Sequence, residues 1–293
     1  MRLVRDGLLA AAGAAATSAV WQRLKKGGSR QWAVRWERTN HTGDPVTLLE
    51  GVALVAGTAG TALMTGSAWP RGGLPYAVAS LGAGTLGAVD DLRQDTDRKG
   101  IAGHLRALAQ GRVTTGALKI VGLAATGLAS TAWADAERAS DDHHGGRAGR
   151  RVWDVLVGGA AVAGAANLAN LFDLRPGRAL KVGVLTAVPL VLTGSGSAPA
   201  ATTLGASLAL LPDDLAGTSM LGDTGANPLG AVLGLAVVQR QQLPARIATL
   251  AVITGLTLAS EKVSFTRVIE STPFLRALDQ LGREVSHRPG PTP

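Results

Sequence analysis

The sequence predicts an all-α, polytopic integral membrane protein with about nine to ten transmembrane helices, its N-terminus outside and its C-terminus cytoplasmic. Three observations carry that expectation. Apolar side chains make up 46% of the 293 residues and charged ones only 17%. Soluble domains carry about 25% charged residues, so the chain is short of the polar surface a globule in water needs. Nine long runs of Ala, Gly, Leu and Val recur along it, and Lys and Arg gather on one set of the connections between them. The same composition excludes disorder, and zero cysteine excludes a disulfide scaffold and a thiolate zinc or redox site. A net charge of +8 points first to nucleic acid. The placement of that charge points elsewhere, and no nucleic-acid partner is expected.

The apolar runs lie at 3–20, 48–68, 74–90, 115–133, 152–171, 179–194, 200–212, 227–240 and 244–260. Most approach the ~20 residues that cross ~30 Å of hydrocarbon as a helix. Those at 200–212 and 227–240 are short, which suits a tilted, re-entrant or buried helix. Small residues dominate, as in VGLAATGLAS and VGGAAVAGAA, and let helix backbones approach closely in lipid. A soluble Ala-rich helical protein is the alternative, disfavoured because amphipathic charge is scarce inside the runs. For Met1–Ala19 the alternative is a cleaved signal peptide, against which stand six basic residues just after the run. Residues 134–151 read as an external hydrophilic loop, whose His143 and His144 fit a solvated, inert pair better than a metal site. The 1–260 stretch is thus one transmembrane helical domain. From 261 to 293 the pattern changes: Val263, Phe265, Val268, Ile269, Phe274, Leu275, Leu278 and Leu281 alternate with charge. This predicts a cytoplasmic amphipathic tail on the inner membrane surface, with Ser271-Thr272-Pro273 as a helix start.

Basic residues set the orientation. Connections 21–47, 91–114, the turn with Arg175, Arg178 and Lys181, and the tail together hold 19 of the 29 Lys and Arg, whereas the opposite connections hold nine. Lys119 lies inside a run. The first set is therefore placed in the cytoplasm, in a cell inner (plasma) membrane, and abundant Ala, Gly and Arg with few Lys points to a high-GC bacterial source.

Ionisable groups at membrane depth are costly, which makes each one a functional candidate. Three acidic clusters end runs on the cytoplasmic side: Asp90-Asp91, with Asp95 and Asp97 behind; Asn167, Asn170 and Asp173; and Gly222-Asp223-Thr224-Gly225. Asn167, Asn170 and Asp173 are spaced i, i+3, i+6 and share one helix face. Glycines around Asp223 allow a sharp turn that presents a carboxylate together with backbone N–H groups. Carboxylates with oxygen-donor neighbours and no thiols suit Mg²⁺, which bridges to substrate phosphate. The plain alternative is that these aspartates cap helices.

These residues also carry a resemblance. The chain, from about Arg38 to Ser260, resembles the polyprenyl-phosphate N-acetylhexosamine-1-phosphate transferases, glycosyltransferase family 4, which include phospho-N-acetylmuramoyl-pentapeptide transferase. The family's paired aspartates match Asp90 and Asp91. Its Asn-x-x-Asn-Leu-x-Asp segment matches Asn167, Asn170, Leu171 and Asp173, and its Gly-Asp-x-Gly-Ser segment matches Gly222, Asp223 and Gly225. Arg38 to Thr47 loosely resembles the basic loop before the family's second helix. The chain departs where the family continues Gly-Leu-Asp-Gly-Leu-Ala, since Leu174-Arg175-Pro176-Gly177-Arg178-Ala179 stands there. Ala226-Asn227 follows Gly225, and Glu261 to Arg267 takes the place of the His-rich motif.

The resemblance implies transfer of a sugar 1-phosphate from a UDP-sugar to a polyprenyl phosphate at the cytoplasmic face, releasing UMP, in cell-wall glycan synthesis. It implies Mg²⁺ as cofactor, Asp223 and Asp91 as its ligands, and Asp90, Asp91 and Asp173 as catalytic carboxylates. Asn167, Asn170, Arg175, Arg178 and Lys99 are the expected substrate-binding residues. Expected partners are the polyprenyl phosphate lipid, a UDP-sugar and the membrane, with a homodimer left open. Two other classes stay open: a non-catalytic relative that binds polyprenyl lipid or an envelope partner, and a proton-coupled transporter, which the placement of the acids at one face disfavours.

Overall fold

A computed structural model describes residues 1–27, 30–69, 72–93, 110, 114–141, 148–194 and 196–283. The described chain is almost wholly helical. In order it comprises α1 (Arg2–Lys26), α2 (Arg30–Val34), strands β1 (Glu37–Thr39) and β2 (Pro45–Thr47), α3 (Leu49–Thr65), α4 (Leu74–Arg93), α5 (Thr115–Asp141), α6 (Ala148–Phe172), α7 (Arg178–Thr193), α8 (Ser197–Leu215), α9 (Gly222–Val238), α10 (Leu243–Lys262), α11 (Phe265–Ser271) and α12 (Pro273–Gln280). Each of the nine apolar runs falls on a helix. Five of the described helices are long and apolar enough to cross a membrane: α1, α3 with the turn after it, α5, α6 and α10.

α9 is the axis of the bundle and packs against α3, α4, α5, α6, α7 and α8. Thirteen of its fourteen buried residues follow Gly222 without a charge among them, although the helix has only 17 residues. Its burial is helix against helix. α10 is the opposite case, with Arg246 its one buried residue, and Ile247, Val252 and Leu258 are more than half exposed. Leu185 and Leu192 on α7 and Leu3 and Leu8 on α1 extend this apolar exterior. So much exposed Leu, Val and Ile marks a surface made for something other than water.

Three expectations are corrected. The segment read as a basic loop contains a β-hairpin, with Glu37 opposite Thr47 and Thr39 opposite Pro45. Asn40 closes its turn: Oδ1 accepts the N–H of Thr42 and of Asp44 at 2.9 Å. The hairpin is clipped to the loop before α9 by Thr47, whose carbonyl accepts the Met220 N–H at 3.1 Å. The 134–151 loop is mostly helix, since α5 continues to Asp141 and α6 begins at Ala148; its Ala, Glu and Arg are good helix formers. His143 and His144 lie outside the described residues, as do Asp95, Asp97 and Lys99. Finally, α8 runs past Pro212 to Leu215, placing Asp213 and Asp214 on a helix. Asp213 accepts from Trp21 Nε1 at 2.6 Å and Lys25 Nζ at 2.9 Å, which ties α8 to α1.

The described part of the tail, to residue 283, is anchored to the bundle. α12 starts on Pro273, the expected first helical position. Asp279 on α12 receives two hydrogen bonds from Arg178, at 2.7 and 3.0 Å, and Lys181 donates to its carbonyl at 2.6 Å.

Candidate functional site

Alternation of the helices brings the end of α4, the start of α5, the end of α6 and the start of α9 to one end of the bundle. A helix N-terminus leaves its first N–H groups without partners inside the helix. At α9 those groups are taken by carboxylates from two other helices. Gly222 N–H donates to Asp173 Oδ2 at 2.7 Å. Asp91 accepts the Asp223 N–H at 3.2 Å and the Thr224 N–H at 2.9 Å, with the Thr224 hydroxyl donating at 2.6 Å. Carboxylates at this position also meet the positive end of the helix dipole.

Glycine makes the approach feasible. Gly222 sits at φ 59, a left-handed conformation that costs a residue with a Cβ, and so turns the chain into α9. Gly87 on α4 lies so close that a Cβ there would collide with the backbone of Asp223 and Thr224.

Asp90 and Asp223 remain, and a lysine stands between them. Lys119, on the first turns of α5, donates from Nζ to Asp90 Oδ2 at 3.2 Å and to Asp223 Oδ2. The side chains of Lys119, Asp223 and Asp90 are 14%, 16% and 30% exposed, so the cluster is sheltered and still reachable.

Beside it opens a cavity of about 370 Å³ lined by Thr39, Asn40 and His41 of the hairpin and by Asp173, Arg175, Pro176, Asp214, Ser219 and Met220. Burial, then the charges of Asp214, Asp223 and Asp91, hold the Asp173 carboxyl well above the ordinary carboxylate range, outweighing the pull of the Gly222 N–H. On the facing wall, partial burial and the neighbouring Arg175, Arg283 and Arg178 hold His41 below its ordinary value. A second cavity of about 190 Å³, almost wholly apolar, lies among α6, α7, α9 and α10 and is lined by Leu168, Phe172, Val182, Leu229 and Ile253.

Asp90, Asp91, Asp173 and Asp223 are thus brought together, although Asp91 and Asp173 are engaged with the first turn of α9. Asn167 and Asn170 lie half-buried on the last turns of α6. Arg175 borders the large cavity and donates to Leu174 O at 3.1 Å. Arg178 is a correction: it is 3% exposed and committed to Asp279 and to Thr266 Oγ1, so it anchors the tail and is not free for phosphate. Glu261 to Arg267, in the place of the His-rich motif, reaches the site's edge with Phe265 stacked on Phe172 at 5.2 Å.

The Mg²⁺ expectation meets an obstacle in the donor set. Asp91 has both oxygens hydrogen-bonded, and Asp90 with Asp223 already holds an ammonium. Among the described residues no group of three or more His, Asp or Glu is arranged to hold a metal ion. As arranged, these carboxylates fit Lys119 and do not fit a hydrated divalent ion.

Sequence reasoning passed over Lys119, Thr224 and the cavity wall at Asp214 and Ser219. Lys119 carried a signal, being a charge inside an apolar run, where a charge is expensive. No known family model matches the chain, and no curated protein matches it.

Proposed function

We propose that this end of the bundle transfers a sugar 1-phosphate from a UDP-sugar to a polyprenyl phosphate, and that the chain is a bacterial plasma-membrane enzyme of cell-envelope glycan synthesis. The observation that supports this reading is the meeting of Asp90, Asp91, Asp173, Asp223 and Lys119, drawn from three helices and the turn after α6, beside a larger cavity of mixed lining and a smaller apolar one. The larger cavity, about 370 Å³ with Asn40, Asp173, Arg175 and Asp214 on its wall, is in the size range of small-ligand sites and suits the nucleotide. The apolar one, next to Phe172, suits the first isoprenoid units.

In this reading an oxygen of the lipid phosphate attacks the phosphorus that carries the sugar. A new pyrophosphate bond forms, the old one breaks, and UMP leaves with the bonding electrons. Asp90, the most exposed of the carboxylates on Lys119, orients the lipid phosphate or takes its proton. Lys119 and Arg175 offset the repulsion between the two anions. Asp91 and Asp173 keep the first turn of α9, and with it Asp223, in place, and Asn167 and Asn170 stand on the donor side.

The proposed orientation puts this end in the cytoplasm, with α1 starting outside, all nine long helices crossing or inserted, and α12 on the inner surface. Phe274 and Leu281, 71% and 68% exposed, are its membrane-facing side chains. A reporter fused after Pro293 is expected to read cytoplasmic, and an external reading overturns the orientation.

The function is tested by incubating purified full-length protein with polyprenyl phosphate and a panel of UDP-sugars, with Mg²⁺ in one arm and EDTA in the other. UMP release matched by lipid-linked sugar is expected with one donor. The second reading, a lipid-binding relative without catalysis, is favoured by the absence of the His-rich motif. It predicts retained polyprenyl phosphate and no UMP in either arm.

A further inference from the structure

We propose that Lys119 is the resident cation of this site, seated between Asp90 and Asp223, the latter one of the two residues that the family resemblance makes Mg²⁺ ligands, so that phosphate ligands are bound without a divalent metal. This rests on the reading of the cluster as a site for phosphate-bearing ligands. Three helices converge to build it: α4 supplies Asp90, α9 supplies Asp223, and α5 delivers the ammonium to both. Leu86, Val89 and Leu118 border the same spot and shelter the lysine stem.

The other carboxylates are turned to the first turn of α9, where Asp91 accepts N–H groups on both oxygens and Asp173 accepts one on Oδ2. An ammonium also does what a bound metal does for an anion. It has three N–H donors; two meet Asp90 and Asp223, which leaves a third for an oxygen that enters the site. Fixed by two carboxylates, it is oriented before the ligand arrives.

The test is a Mn²⁺ titration followed by electron paramagnetic resonance, on full-length protein in detergent, with gel filtration to verify folding. Wild type and Lys119→Arg are expected to bind no stoichiometric Mn²⁺. Lys119→Met removes the competing charge and is expected to bind one Mn²⁺ per chain, with affinity raised on the order of tenfold or more, and Asp223→Asn on that background loses it. Lys119→Gln replaces Lys119→Met if the latter does not fold. One Mn²⁺ per wild-type chain that disappears in Asp223→Asn overturns the proposal, as does a neutral variant that binds Mn²⁺ no better than wild type. Because the readout is metal binding, a protein that transfers no sugar still passes or fails this test on its own terms.

Discussion

The two ends of the bundle use buried charge differently. At the end opposite the candidate site, Arg246 is 2% exposed and grips Asp135 through two hydrogen bonds of 2.7 Å. It gives another to Asp154 O at 2.8 Å, and Gln239 adds one to Asp135 at 2.9 Å. One cation meets one anion in fork geometry, which closes the pair to anything else. At the site end Lys119, a point charge with three donors, is shared between two carboxylates that are partly exposed. A guanidinium 2% exposed with its donors spent inside the bundle fixes helices, whereas a shared ammonium 14% exposed leaves a donor for a ligand. Substitutions at the two ends should therefore separate stability from function.

The largest expected effect is structural. Arg246→Ala leaves the partly buried Asp135 with only its Gln239 hydrogen bond, and should cost about 2–3 kcal/mol, read as a lowered thermal midpoint in detergent, while the surviving folded protein keeps its ligand affinity. Asp223→Asn should do the reverse, lowering transfer by about 100-fold or more with an unchanged thermal midpoint. If Arg246→Ala lost ligand binding and Asp223→Asn lost stability, the contrast between the ends would collapse. Gly87→Ala, which pushes α4 against the backbone of Asp223 and Thr224, should cost about 1–3 kcal/mol and slow transfer as well, since it moves a site residue through packing.

The smallest effect concerns the tail and depends on pH. Burial pushes the Asp279 carboxyl up, but the hydrogen bonds and charges of Arg178 and Arg283 outweigh it and leave it below the ordinary carboxylate value. A carboxyl lowered in the folded state stabilises above its unfolded value of about 3.9 and loses that contribution as pH falls through the folded value. The anchor of α12 should accordingly hold at neutral pH and release in acid, seen as proteolysis between Lys262 and Pro273. Asp279→Asn should weaken the anchor by about 1–2 kcal/mol at pH 7 and flatten the acid dependence; an unchanged cleavage profile would sever the link between Arg178 and the tail.

Local patterns were legible in advance and non-local pairings were not. Nine apolar runs marked nine helices because composition alone carries that signal. The i, i+3, i+6 spacing put Asn167, Asn170 and Asp173 on one helix face, whereas α6 ends at Phe172 and leaves Asp173 in the turn beyond it. The hairpin escaped notice because its strands are three residues each and its register depends on an Asn40 turn and on the loop before α9. The apolar run ends at 212, yet α8 continues through Pro212 to Leu215. Arg178 looked like a phosphate ligand because nothing nearby in sequence shows that Asp279, 101 residues on, will claim it. Lys119 was visible only as an anomaly, and its meaning depends on Asp223, 104 residues away.

Paired measurement of UMP and lipid-linked sugar, in wild type and in Asp223→Asn, tests the central claim most directly. With its donor sugar and polyprenyl phosphate, wild type should form the two products in equal amounts, and Asp223→Asn should form neither while eluting as folded protein. Equal product from Asp223→Asn, or none from wild type that still retains polyprenyl phosphate, would contradict the assignment of this end of the bundle as a transfer site.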